Sequence, residues 1–185
     1  MQSEQPKQGY RALRRGRVSI SHARYFLTVV TKDRQRGLAC SEIYDACLNL
    51  LHDLPAHSLA LVLMEDHLHW LFQLSNETSL SEMVRLFKGR LSPELRRLGI
   101  RWQSRAYHDR RLRPDDELAP FLRYMLCNPY REGLCAVDER WPFWYCDSEV
   151  SEWFEPTTNE GRPWAEWIAT SEMNPWEIDD QDDIL

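Results

Sequence analysis

The stretch of this 185-residue chain best equipped for chemistry is His67-Leu68-His69. It sits in residues 59–74, where an apolar run reaches Glu65-Asp66 and then gives way to alternating residues. In a strand, residues i and i+2 point to the same face. His67, His69, Leu71 and Gln73 then share one face, and Leu68, Trp70, Phe72 and Leu74 form the core side. Two imidazoles side by side on a rigid strand make half of a divalent-metal site. A surface or hydrogen-bonded histidine pair has the same spacing, so the remaining ligands must come from elsewhere in the chain.

Two other regions carry candidate groups. Tyr124 and Asn128 are four residues apart, so on a helix they lie on one face, although a core tyrosine and a helix-ending asparagine would look the same. Residues 105–113 hold Arg105, Arg110, Arg111 and Arg113 with Tyr107 and His108 among them. Cations interleaved with aromatics suit single-stranded nucleic acid, where rings stack on bases and guanidinium groups hold phosphates. A solvated basic loop is the plainer reading. His108-Asp109 reads first as a structural hydrogen-bonded pair, and as an aid to proton transfer or metal binding second.

The elements that must position these groups follow from periodicity. Residues 24–31 are β-branched and aromatic and read as a strand. Ser41 is placed to cap a helix running to about Asp53, with Ile43, Cys47, Leu50 and Leu51 on its apolar face. Strands over 57–64 and 67–74 are joined tightly at Glu65-Asp66. Thr78 or Ser79 caps a second helix whose buried stripe is Leu80, Met83, Val84, Phe87 and Leu91, leaving Arg85 and Lys88 off it. Ser92-Pro93 marks a short helix restarting. Residues 102–107 could supply another strand. Residues 114–117 open a third helix that stops near Cys127, ahead of Asn128-Pro129. The order implies an α+β fold built on a split β-α-β (ferredoxin-like) unit, an antiparallel sheet with helices on one face.

Composition narrows the classes. No apolar run approaches the roughly 20 residues needed to span a bilayer. The Arg-rich N-terminus lacks the apolar segment of a secretory signal. Five scattered cysteines without a Cys-x-x-Cys pair support neither a zinc knuckle nor a disulfide framework, and suit a reducing, cytoplasmic setting. The formal charge of −6 is unevenly spread. From Asp138 onward there are 14 acidic residues against 2 basic ones; before it there are 15 against 21. A basic body with an acidic tail is a nucleic-acid pattern, or a solvated surface followed by a disordered tail. Three regions are expected: a basic flexible arm over 1–20, a domain over 21–147, and an acidic, Trp-containing, largely disordered tail over 148–185.

Taken together, the motifs resemble a known family. His67-Leu68-His69 resembles the HUH motif (His, hydrophobic, His) of single-tyrosine transposases. Tyr124 through Leu134, with Asn128-Pro129-Tyr130-Arg131-Glu132-Gly133-Leu134, resembles the tyrosine helix and Asn-Pro-x-Arg-x-Gly-Leu signature of REP-associated tyrosine transposases, relatives of the IS200/IS605-type enzymes. Residues 102–109, 141–144 and 25–28 are similar to the family's flanking segments, so the resemblance covers about residues 22–146. One departure is Glu65, where the family usually has proline. It implies a less rigid turn and an extra carboxylate near the site.

The resemblance implies a metal-dependent endonuclease and strand transferase that cuts and rejoins single-stranded, hairpin-forming repeat DNA through a 5′-phosphotyrosine. Tyr124 would be the nucleophile. His67, His69 and Asn128 would hold Mg²⁺ or Mn²⁺. Arg85, Lys88, Arg105, Arg110 and Arg111 are the candidate DNA contacts. The expected partner is a repetitive extragenic palindrome, with no membrane involved, the protein acting as a monomer on the nucleoid. The alternatives are a catalytically silent hairpin-binding module of the same fold, hinted at by Glu65, and a metal-dependent hydrolase of small phosphoesters.

Overall fold

The sheet is centred on β3 (His67–Leu74) with β1 (Arg24–Val30) beside it, and each has five consecutive buried residues inside it. The computed structural model describes residues 19–104, 107–154 and 161–170. Around the central pair lie β2 (Ala56–Leu63), β4 (His108–Arg111) and β5 (Trp144–Cys146), in the order β4-β1-β3-β2-β5. Every pairing is antiparallel. The helices are α1 (Ser41–Leu51), α2 (Leu80–Arg97), α3 (Ala119–Arg131), α4 (Ser148–Trp153) and α5 (Ala165–Ala169).

The strand period of two divides the sheet into two cores. Tyr25, Leu27 and Val29 of β1 join Leu68, Trp70 and Phe72 of β3 against α1 and α2. Trp70 stacks on Phe72 and Phe87, with centroids 4.1 and 4.8 Å away. Its indole N–H donates to Ser58 Oγ at 3.2 Å, so the buried ring leaves no orphan donor. The opposite face presents Phe26, Ala60, Val62 and Leu71 to Phe121, Leu122, Met125 and Leu126 of α3. Helices on one face, as expected, thus holds for α1 and α2, whereas α3 lies on the other face. Its Phe121, Leu122, Met125 and Leu126 stripe is apolar and needs the second side of a sheet whose first side is already covered.

Several boundaries differ from the sequence expectation. The α1 N-cap is Cys40, without a side-chain cap, rather than Ser41. Helix α2 is opened by Ser79, which exchanges a reciprocal capping box with Glu82. It then runs unbroken through Pro93 to Arg97. Ser92 Oγ bonds back to Lys88 O at 2.6 Å, and Leu91 and Leu95 hold both sides of the proline in the core. Of the added strand expected over 102–107, residues 105 and 106 lie outside the described residues; Trp102 makes an isolated bridge to Thr31, and β4 begins at His108.

Helix α3 starts at Ala119 and continues through Asn128 and Pro129 to Arg131, where a stop at Cys127 was expected. A proline inside a helix costs about 3 kcal/mol. Burial of Met125, Leu126 and Tyr130 around it outweighs that cost. The helix end is closed by Glu132 N–H to Asn128 O, Leu134 N–H to Pro129 O and Gly133 N–H to Tyr130 O. Gly133 makes the reversal at φ +67°, where a side chain would be strained.

Two short helices stand in the acidic tail, where composition suggested little order. Asp147 caps α4 through Glu149 N–H. Val150 and Phe154 enter the second core. Helix α5 docks on α3: Arg131 donates to the carbonyls of Trp167 and Thr170, each at 2.6 Å, and the Arg123 guanidinium lies 4.4 Å over the Trp167 ring. The basic arm, apart from Ser19 and Ile20, lies outside the described residues. Among the described residues, no helix is long and apolar enough to cross a membrane, and the five cysteines are free thiols.

Candidate active site

At one end of the α3 face the apolar alternation gives way to polar residues. Thr28 of β1 pairs with His69 of β3 on one side and His108 of β4 on the other. This row of three and His67 line a cleft of about 400 Å³ with Tyr124 and Asn128 of α3. The His67 and His69 rings stand 4.8 Å apart. The Tyr124 ring is 5.4 Å from His69 and 6.0 Å from Phe26, which itself stacks on His69 at 5.2 Å. Because α3 continues past Cys127, Asn128 is helical and shares the face of Tyr124, as their spacing requires.

The hydrogen bonds assign the imidazoles. Asn128 Nδ2 donates to His69 Nε2 at 2.9 Å, so that nitrogen carries the lone pair. His69 Nδ1 therefore bears the proton and donates to Thr28 Oγ1 at 2.7 Å. Complete burial, followed by the charges of His67 and Arg34, holds His69 well below the usual histidine range. It is neutral at pH 7. His67 Nδ1 donates to Asp66 Oδ1 at 2.7 Å. Burial alone would raise the Asp66 pKa, but the His67 bond and charge and the charge of Arg34 outweigh it and lower the net value. While Nε2 of His69 is taken by the Asn128 amide, both rings are thus held from behind through Nδ1. This is the orienting arrangement that metal-binding histidines need.

Tyr124 is pushed above its ordinary range, first by burial and further by Glu132. The charge of Arg131 and a hydrogen bond from Asn128 oppose the rise. Among the described residues, no three His, Cys, Asp or Glu side chains converge to hold an ion.

The carboxylate of Glu65 does not line the cleft; it pairs with Arg36 at 3.4 Å. The turn that lacks proline is held instead by backbone contacts. Leu38 N–H donates to Glu65 O at 2.9 Å, and both the N–H and the hydroxyl of Thr31 donate to Asp66 O at 2.9 Å. The feature that hinted at a degraded site is therefore turned away from it.

The candidate DNA contacts do not form one patch. Arg110 shares the cleft side of β4 and lies 5.6 Å over Phe121, while the strand alternation sends Arg111 to the other side, beside Arg24. Arg85 and Lys88 of α2 line a groove of about 800 Å³ with Trp102, Gln103, Ser104 and Tyr107. There Lys88 donates to Gln103 O at 2.8 Å, and burial lowers its pKa. Arg105 lies outside the described residues. The sequence reading missed Thr28, Arg34 and Glu132, all of which line the cleft. Only the β1–β3 register could have found Thr28, and nothing local marks the other two.

Residues 19–111 match the family model described as "Transposase IS200 like". The chain belongs to the IS200-like transposase family. It is accordingly an enzyme of the HUH transposase type, with His67 and His69 inside the matched span and Tyr124 beyond it. A Haemophilus influenzae protein assigned as a REP-associated tyrosine transposase is 26% identical over 157 residues, which span 75% of this chain and 88% of that one. A solved REP-associated tyrosine transposase bound to a REP hairpin has the same fold. Its TM-score is 0.62 at 21% identity, covering 80% of this chain and 96% of that one.

Proposed function

We propose that this transposase cuts single-stranded DNA beside a hairpin and rejoins it through a covalent bond to Tyr124. One observation carries the reading: a tyrosine, two histidines held from behind through Nδ1, and an asparagine amide line one cleft. Two imidazole nitrogens and an amide oxygen suit Mg²⁺ or Mn²⁺ better than zinc. His69 Nε2, His67 Nε2 and the carbonyl of Asn128, its amide turned about χ2, would hold the ion. When bound, it would act as a Lewis acid on the scissile phosphate.

The chain's own groups account for the rest. Burial keeps the Tyr124 phenol protonated at pH 7, so its proton leaves as attack begins. Arg131 and Asn128 favour the phenolate against that burial. The Tyr124 oxygen bonds to phosphorus as the bond to the 3′ oxygen breaks. That oxygen takes up a proton and leaves as a 3′-hydroxyl, with the 5′-phosphate now on tyrosine. Attack by a 3′-hydroxyl reverses the step and frees Tyr124. One ester replaces another throughout, so rejoining consumes no ATP.

The DNA partner is a hairpin-forming repeat of the palindromic class bound by the solved relative. Arg110 on the cleft side of β4, and Arg85 with Lys88 across its edge, suit a strand passing around that edge. Recognition of this kind reads shape and stacks bases rather than entering the major groove.

The test is covalent capture. End-labelled hairpin DNA with single-stranded flanks, incubated with Mn²⁺ or Mg²⁺, should give a protein band carrying the label 3′ of the cut. The band should vanish in Tyr124→Phe and in His67→Ala. Binding without a band on several repeats, with both metals, would leave the silent binding module. A band that survives Tyr124→Phe would assign the nucleophile to another tyrosine.

A further inference from the structure

The turn after β1 is strained, and the strain has no structural explanation in the core. Asp33 has φ 53° and ψ 29°, and Arg34 has φ 55°. Two consecutive residues with side chains in the left-handed region are costly, and such positions cluster at functional sites. Neither residue is buried. The surroundings nonetheless hold the turn in place. Thr31 Oγ1 shares its one proton between Gln35 O at 2.7 Å and Asp66 O at 2.9 Å, and Gln35 N–H donates to Lys32 O at 3.1 Å.

What this geometry achieves is the placement of one side chain. Arg34 lines the same cleft as Tyr124, His67 and His69. Its Nη1 donates to Asp66 Oδ2 at 3.3 Å, while the other oxygen of that carboxylate accepts from His67 Nδ1 at 2.7 Å. Asp66 therefore spaces the guanidinium against His67. The Arg34 side chain is 65% exposed, and an ion pair that open contributes little to stability. A guanidinium carries five N–H donors in a rigid fork matched to phosphate oxygens, and its charge is permanent.

We propose that Arg34 is a catalytic residue of strand cleavage, its guanidinium holding a non-bridging oxygen of the scissile phosphate. The proposal rests on the reading that Tyr124 attacks that phosphate. Negative charge on the equatorial oxygens must be stabilised as the Tyr124–phosphorus bond forms and the bond to the 3′ oxygen breaks. A preorganised donor aimed there gives its full effect in the transition state. Lysine would keep the charge and lose the fork.

Single-turnover cleavage of an end-labelled hairpin substrate with Mn²⁺ tests this. Arg34→Ala should slow adduct formation by about 100-fold or more, the usual effect of losing one such donor, and Arg34→Lys should recover part of the rate. Arg34→Gly, which tolerates the left-handed conformation, should melt no lower than Arg34→Ala yet be equally slow. Metal-free DNA binding should change only a few-fold. The decisive substrate carries a scissile methylphosphonate, which lacks one anionic oxygen. On it the gap between wild type and Arg34→Ala should shrink at least tenfold. An equal gap on both substrates would show that Arg34 merely positions His67 through Asp66 and would overturn the proposal, as would wild-type rates in Arg34→Ala. If the wild type itself forms no Tyr124 adduct, the underlying reading fails first and the proposal falls with it.

Discussion

The two faces of the sheet are built from the same strands and do opposite work. Toward α1 and α2, β1 and β3 present Tyr25, Leu27, Val29, Leu68, Trp70 and Phe72, an unbroken apolar surface. Toward α3 they present Phe26 and Leu71, then Thr28, His69 and His67. One face is committed to burial along its whole length. The other is apolar where the first half of α3 packs and polar beside Tyr124 and Asn128 further along it. The first face supplies the rigidity that lets the second carry a buried neutral histidine between two hydrogen bonds. Strand β3 carries that histidine at the centre of the sheet, where its backbone cannot shift without disturbing both neighbours.

Substitutions on each face sharpen this contrast. The largest effect on stability belongs to the α2 side. Trp70→Ala removes a fully buried ring and should destabilise by about 3–5 kcal/mol, seen in denaturant unfolding, with the cleft residues untouched. Comparable destabilisation by Tyr124→Phe would erase the division of labour between the faces.

Thr28→Val is the intermediate case. It preserves shape but takes the acceptor from His69 Nδ1–H. Loss of one orienting partner should weaken Mn²⁺ binding about 10–100-fold, measured by calorimetry. The stability cost of the orphaned donor should be about 1–3 kcal/mol. Unchanged metal affinity would show that Thr28 does not set the tautomer.

The smallest effect is a pH dependence of the metal-free protein. His69 is held well below the histidine range when folded, whereas its unfolded value is about 6.5. Below that value the unfolded chain binds a proton that the folded chain refuses, so stability falls as pH falls. The slope should approach about 1.4 kcal/mol per pH unit from this one group. It should disappear in His69→Gln. Equal slopes for both proteins between pH 6.5 and 5 would contradict the buried neutral assignment.

Much of this was legible from periodicity. Strands β1, β2 and β3, the buried stripes of α1 and α2, and the facing of His67 and His69 away from Trp70 all follow from spacings of two or of three and four. The boundary errors share a cause. On local grounds Pro93 reads as the start of a new short helix and Pro129 as a stop, but tertiary burial on either side carries one helix through each. Strand β4 was displaced because four residues, His-Asp-Arg-Arg, lack an apolar alternation, and their pairing is imposed by the exposed edge of β1.

The sequence by itself determined which residues could be ligands and nucleophile, because His-x-His on a strand and Tyr-x-x-x-Asn on a helix each have an intrinsic face. Only the tertiary structure decided that α3 crosses the sheet on the histidine side, that Thr28 lies behind His69, and that Asp66 joins His67 to Arg34. Those relations depend on strand register and on a strained turn. Both are set by contacts between residues far apart in the chain, which no local pattern encodes.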